Sequence, residues 1–350
     1  MDLFSSLPLG DFTLTNRIAM APMTRSRADY QGVQSELAIE YYGSRADAGL
    51  LITEGVAPSA MGLGYARTPA LYNDEQIASW KKVTDAVHAK GGRIFMQIMH
   101  VGRVAHSANR TIADAPVAPS AIQAAGQMWT DSQGMQPNDM PRALAVEEIP
   151  GVMTEYAQAT KNALAAGFDG VELHAASGYL PNQFLSEGAN QRTDQYGGSI
   201  ENRIRFVVET LQAMIAAAGS AGKVGMKVSP GMKFNGIDDA DPIPTFVALA
   251  KAISPMGLAY LHVMRTGIGS ETALREAYQG NLLMGGGYGK AEANQVLASG
   301  AADGIVFGSS YLANPDLVTR FAKDAPLNAP DPSTYYSPGP HGYLDYPTLG

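Results

Sequence analysis

Val171-Glu-Leu-His-Ala-Ala-Ser-Gly-Tyr-Leu180 is the stretch on which both fold and chemistry turn. A short run of apolar residues ends in a histidine, and a serine and a tyrosine follow within five residues. A parallel barrel strand is laid out this way, because its carboxyl end and the loop after it face the mouth where such barrels keep their active sites. Beyond it, Asn182-Gln-Phe-Leu185 and Asn190-Gln-Arg-Thr-Asp-Gln-Tyr-Gly-Gly198 lead to a helix entry capped at Ser199.

Outward from this strand the same alternation runs along almost the whole chain. Strands are expected near Arg17–Met20, Leu50–Glu54, Arg93–His100, Gly170–His174, Lys223–Ser229, Leu258–Val263, Asn281–Met284 and Gly304–Phe307. Helices are expected near Glu36–Ala48, Asp74–Lys90, Gly151–Ala166, Ser199–Ala217, Asp241–Ile253, Ala273–Tyr278, Lys290–Ala298 and Asn314–Ala322. Eight repeats of strand then helix predict an α/β protein with a closed (β/α)8 TIM barrel, a single domain over residues 1–350. A doubly wound sheet shares the alternation, but its G-x-G-x-x-G turn is missing after the first strand, where Ala21-Pro-Met-Thr24 stands. Residues 113–144, rich in Pro, Gln, Gly and Asp, are too long for a simple connection and predict a lid or hairpin excursion after the third strand. Residues 326–350 carry Tyr335, Tyr336 and Tyr346, aromatic enough to predict an ordered loop packed on the barrel.

Composition removes several classes of function. The 45% hydrophobic fraction suffices for a packed core, and 17% charged residues is too few for a disordered chain. A net charge of −8 argues against nucleic acid and anionic membranes as partners. With no cysteine there is no disulfide, thiolate nucleophile or Cys-ligated metal. His88, His106, His262 and His341 lack metal-ligand spacing to acidic neighbours, so no metal is expected, and His100 is left without a role. The N-terminus shows no signal-peptide pattern and no apolar run reaches the roughly 18 residues of a membrane span, so a cytoplasmic protein is expected.

Taken alone, a histidine at a strand end is more often structural than catalytic, and a tyrosine such as Tyr179 more often caps a core. The surrounding segments decide otherwise. From Leu3-Phe4 through Asn16-Arg17, Glu40-Tyr41-Tyr42, His100-Val-Gly-Arg103, the 171–198 stretch and Ala313-Asn-Pro-Asp-Leu317 to Asp345-Tyr346-Pro347, the chain resembles the Old Yellow Enzyme family of FMN-dependent ene reductases. The resemblance implies noncovalent FMN held by Pro22, Met23, Thr24, Gly55, Gln97, Lys227, Gly286, Gly287, Gly308 and Ser309. It implies NADPH or NADH as hydride donor and small activated alkenes, α,β-unsaturated carbonyl or nitro compounds, as substrates. His174 and Ser177 would bind the substrate carbonyl, Tyr179 would protonate the α-carbon, and Tyr65, Met99 and Tyr336 would line the pocket. Glycines after the last two strands suit a phosphate, and a lysine beside the flavin suits the charge that gathers there on reduction.

Four positions depart from the family pattern. Ser177 stands for an asparagine or second histidine, Lys227 for an arginine, Ser309 for the arginine that grips the phosphate, and Met99 for a tryptophan. The changes predict weaker carbonyl activation, a point charge in place of a planar fork, looser phosphate binding and a softer pocket. Two further readings stay open: a flavin-independent or non-redox double-bond isomerase on the same fold, and a non-catalytic binder of flavin or phenols. Monomer and homo-oligomer are equally compatible with the sequence.

Overall fold

The computed structural model describes residues 1–349. Its barrel strands are β1 Ile18–Met20, β2 Leu50–Ile52, β3 Ile94–Ile98, β4 Gly170–Ala175, β5 Val224–Val228, β6 Tyr260–Met264, β7 Leu282–Gly285 and β8 Gly304–Phe307. Each pairs in parallel with the next, and β8 closes onto β1. Around them lie α1 Leu37–Gly43, α2 Asp74–His88, α3 Ile149–Ala165, α4 Ile200–Ala218, α5 Ile243–Ile253, α6 Ser270–Ala277, α7 Lys290–Ser299 and α8 Leu317–Ala322. The predicted barrel is present, with several strands shorter and helix ends moved by a few residues. Local chemistry sets some of those ends: Asn73 and Gln76 form a capping box at α2, and Gly219 closes α4 at φ +74°.

Two α-helical segments and a hairpin at the barrel ends have no counterpart in the sequence reading. Short helices run over Leu180–Leu185 and Ser309–Ala313, each directly after a barrel-mouth residue. An N-terminal hairpin, Leu7–Leu9 against Phe12–Leu14, closes the bottom of the barrel. Its Leu7, Leu9 and Leu14 pack with Leu50, Ile52, Phe95, Tyr260, Leu283 and Val306. Two glycines make that floor possible, since a Cβ on Gly170 or Gly225 would lie 2.5 or 2.4 Å from the ring of Phe95 or Tyr260. The larger core, with Trp80, Tyr156, Phe184 and Phe206, lies between strands and helices, and each large apolar side chain buried there contributes about 1.5–3 kcal/mol.

Side chains two residues apart on a strand share a face. Two residues above Phe95, Gly170, Gly225 and Tyr260 stand Gln97, Glu172, Lys227 and His262. The interior therefore changes from aromatic floor to polar layer within one repeat of the pleat.

Between β3 and α3, residues 113–144 contain an antiparallel hairpin, Gln127–Thr130 with Gly134–Pro137, and a parallel pair, Val117–Ala118 with Arg142–Ala143. The C-terminal loop is strapped down by two buried arginines. Arg25 donates to the carbonyls of Tyr335 and Gly342, and Arg27 to those of Thr334, Tyr335, Gly339 and His341. Tyr343 of that loop stacks on Tyr41 with ring centroids 4.0 Å apart. Among the described residues no helix is long and apolar enough to cross a membrane.

Candidate active site

His174 is the last inward-facing residue of β4, in register with Lys227 on β5, which is in register with His262 on β6. Its Nδ1 accepts a hydrogen bond from the Ala176 amide at 3.3 Å, which leaves the proton on Nε2 as a donor without a partner among the described residues. Burial, then the charge of Lys227 and His262 nearby, holds its pKa well below the usual histidine range. The imidazole is therefore neutral at physiological pH, a hydrogen-bond donor and not an acid.

Tyr179 packs edge-on against His174, with centroids 4.8 Å apart. It stands at the start of the Leu180–Leu185 helix, where Pro181 occupies the first turn and the Gln183 amide donates to the Tyr179 carbonyl at 2.8 Å. Its hydroxyl donates to that of Tyr65 at 3.1 Å. Burial, then Tyr65, pushes the Tyr179 phenol well above its ordinary value of 10.

Ser177 takes φ +57°, a left-handed conformation. Its amide donates to Ser229 Oγ at 2.8 Å, while its hydroxyl meets only the thioether of Met232 at 3.6 Å. Sulfur is a weak acceptor, so that hydroxyl is easily redirected. Tyr65 is half-buried and Tyr336 exposed. A cavity of about 200 Å³ lies beside Tyr65, bounded by Tyr30, Arg67, Asn109 and Asp131 among others.

Below the mouth lies a polar layer that sequence reasoning missed in part. Glu172 is fully buried, receives Gln97 Nε2 at 2.7 Å and meets His262 Nδ1 at 3.0 Å. The Lys227 ammonium has no ion pair or hydrogen bond among the described residues; burial lowers its pKa and only the charge of Glu172 opposes this. The alternation of Glu172 with His174 could have pointed to the carboxylate. Nothing local to His262 could, because its partners are on other strands. The remaining histidines are structural: His88, His106 and His341 face Asp169, Asp139 and Asp345. His100 is sealed, with its pKa lowered to about 3 by burial and then by Arg110.

The residues expected around FMN can be tested against the same geometry. Pro22, Met23 and Thr24 leave the end of β1 only partly buried, and no protein group accepts from or donates to the Thr24 hydroxyl among the described residues. Gly286 and Gly287 hold φ at +121° and +82°. A Cβ on Gly287 would meet nothing within 4 Å, and one on Gly308 would meet only Ala21 Cβ and Met23 Sδ, both at 3.8 Å. Gly286 is bare because a Cβ there would lie 2.8 Å from Arg265 Cβ, and Gly287 because of its positive φ, but protein packing leaves the space beside Gly287 and Gly308 open to a ligand. Ser309 is exposed beside Gly308. With the unpaired ammonium of Lys227 and the amide of Gln97, these groups fit a flavin with its phosphate at the β7 and β8 ends. Gly55 has another reason: its Cβ would lie 2.5 Å from Met99 Sδ.

Comparison with known proteins identifies the family. The profile of the NADH:flavin oxidoreductase / NADH oxidase family matches residues 2–328. A probable flavin mononucleotide-dependent alkene reductase of Leishmania infantum is 43% identical, over 99% of this chain and 97% of the relative. 12-Oxophytodienoate reductase 7 of Oryza sativa subsp. japonica is 40% identical, over 99% of this chain and 95% of its own. Among solved structures, morphinone reductase in complex with tetrahydroNAD superposes with TM-score 0.96 at 44% identity, covering 100% of this chain and 98% of that one. The Old Yellow Enzyme homologue from Zymomonas mobilis also gives 0.96, at 39% identity and 100% coverage of both chains. The chain belongs to the NADH:flavin oxidoreductase / NADH oxidase family, the Old Yellow Enzyme family, and is an NAD(P)H-dependent flavin oxidoreductase.

Proposed function

We propose the following division of labour among its residues in FMN-dependent reduction of the C=C bond of α,β-unsaturated carbonyl or nitro compounds. Bound FMN supplies the hydride, drawn from NADH or NADPH. The neutral His174 donates from Nε2 to the substrate oxygen and draws electron density away from the double bond. Ser177, released from Met232, is the second donor. When FMN is bound, Lys227 would place positive charge at its edge, Thr24 and Gln97 would hydrogen-bond its ring, and the backbone at Gly286, Gly287, Gly308 and Ser309 would hold its phosphate.

Tyr179 retains its proton at neutral pH and transfers it to the substrate α-carbon. The O–H bond breaks, a C–H bond forms, and the phenolate recovers a proton from water. The edge-on packing of Tyr179 on His174 carries this reading, because it sets the acid beside the group that holds the carbonyl. Tyr65, Met99 and Tyr336 shape the pocket.

Residues 113–144 and the C-terminal loop up to residue 349 would cover the mouth. Arg67 ties them together, bonding Asp131 at the hairpin tip, the Tyr336 carbonyl and the Ser26 carbonyl. Dependence on NADH or NADPH favours a cytoplasmic setting. The non-redox isomerase is disfavoured because the chain belongs to a family of flavin oxidoreductases.

Tyr179→Phe tests the acid. Reduction of bound flavin by NADPH should survive, while reoxidation by an enone should slow by about 10²–10⁴-fold. Reoxidation by a nitroalkene should suffer less, since a nitronate can leave before carbon protonation. Enone reduction at the parent rate would show that another group supplies the proton.

A further inference from the structure

The loop between β5 and α5 crosses the end of β4 at Asn235. Asn235 donates from Nδ2 to the Ser177 carbonyl at 2.8 Å, two residues before Tyr179. The segments approach so closely that a Cβ on Gly178 would lie 2.6 Å from Asn235 Cβ. Asn235 holds φ at +53°, a region that asparagine enters more readily than most residues with a side chain.

The Asn235 amide donates to the Ser177 carbonyl, and the turn it holds leads straight to Tyr179, whose hydroxyl meets that of Tyr65 at 3.1 Å. When Tyr179 gives up its proton, the bonding pair stays on oxygen and the phenolate stands in a buried place, so the placing of that hydroxyl decides how readily the proton moves.

We propose that Asn235 is a positioning residue for the proton transfer: its amide fixes the Ser177–Tyr179 turn and so holds the Tyr179 hydroxyl where its proton can move to the substrate. The role rests on Tyr179 being the acid, as proposed above.

Asn235→Gly and Asn235→Asp separate this role from a purely structural one. Glycine adopts the left-handed conformation without strain but has no amide. Asn235→Gly in the FMN-loaded enzyme should slow enone reoxidation by about tenfold or more, as expected when a misplaced acid loses its alignment with the carbon it protonates. Its solvent isotope effect in D2O should rise, while flavin reduction by NADPH stays within about twofold of the parent. Asn235→Asp keeps the shape but sets a carboxylate against the Ser177 carbonyl, which repels it from the turn, and should be slower still. Melting of both FMN-free variants within a few degrees of the parent confirms an intact barrel.

Enone rates at the parent level in Asn235→Gly would overturn the proposal, because only the backbone conformation would then matter. Equal slowing of NADPH reduction, enone reoxidation and nitroalkene reoxidation would also overturn it. In a Tyr179→Phe background Asn235→Gly should add less than about twofold, and an additive loss would show that Asn235 acts elsewhere. A parent-rate Tyr179→Phe overturns both assignments, whereas a slow Tyr179→Phe with a parent-rate Asn235→Gly overturns that of Asn235 alone.

Discussion

Glu172 and His262 meet in the middle of the barrel, Oε2 to Nδ1 at 3.0 Å, with both side chains sealed from solvent. One residue holds the polar layer together: Glu172 bonds both Gln97 and His262, and its charge faces Lys227. Removing one member of a buried polar network strands the others.

Glu172→Leu should therefore destabilise the protein by about 3–5 kcal/mol, leaving His262 and Gln97 unpaired beside Lys227. Glu172→Gln, which keeps shape and hydrogen-bonding capacity, should lose clearly less. Urea unfolding of the two variants measures the difference, and equal losses would show that only packing matters at this position.

Ser309 has neither a partner nor a burial constraint, so Ser309→Arg can be accommodated at the surface of the phosphate cradle. A charge-assisted contact contributes about 1.5–3 kcal/mol, which corresponds to roughly ten- to a hundredfold tighter FMN binding. Titration of apoprotein by flavin fluorescence checks this. Saturable binding is expected for the parent too, through the backbone at Gly286, Gly287 and Gly308, and no binding at millimolar FMN would defeat the proposed cradle.

Ser177 at φ +57° occupies a conformation that suits asparagine better. Ser177→Asn should leave stability unchanged or raise it by a few tenths of a kcal/mol, and should speed enone reoxidation severalfold through a longer donor. If thermal stability rises but the enone rate does not, the side chain at this position does not reach the carbonyl.

His100 gives a pH dependence with a defined sign. Its folded pKa, about 3, lies below the usual 6.5 because of burial. Its contribution to stability is complete above pH 6.5 and is lost as pH falls towards the folded value, at about 1.4 kcal/mol per unit. His100→Asn should remove that slope, so the stability difference from the parent should narrow by about 2 kcal/mol between pH 6.5 and pH 5. Parallel urea midpoints at both pH values would contradict a neutral, sealed His100.

By itself the sequence determined the barrel, because strand-then-helix periodicity is a local pattern that repeats along the chain. It also marked His174, Ser177 and Tyr179, which lie in one uninterrupted stretch, and the glycines at the ends of β7 and β8. Only the tertiary structure decided the rest. Glu172, His262 and Lys227 are far apart in the chain and meet because parallel register sets β4, β5 and β6 side by side, and Asn235 reaches Ser177 only where one loop folds over another. That Met99 packs against Gly55, read from the sequence as a cofactor contact, was visible only in the fold. The N-terminal hairpin was illegible for the same reason: two three-residue strands carry too little periodicity to read, and they gain stability only against the rings of Phe95 and Tyr260 once the barrel has closed.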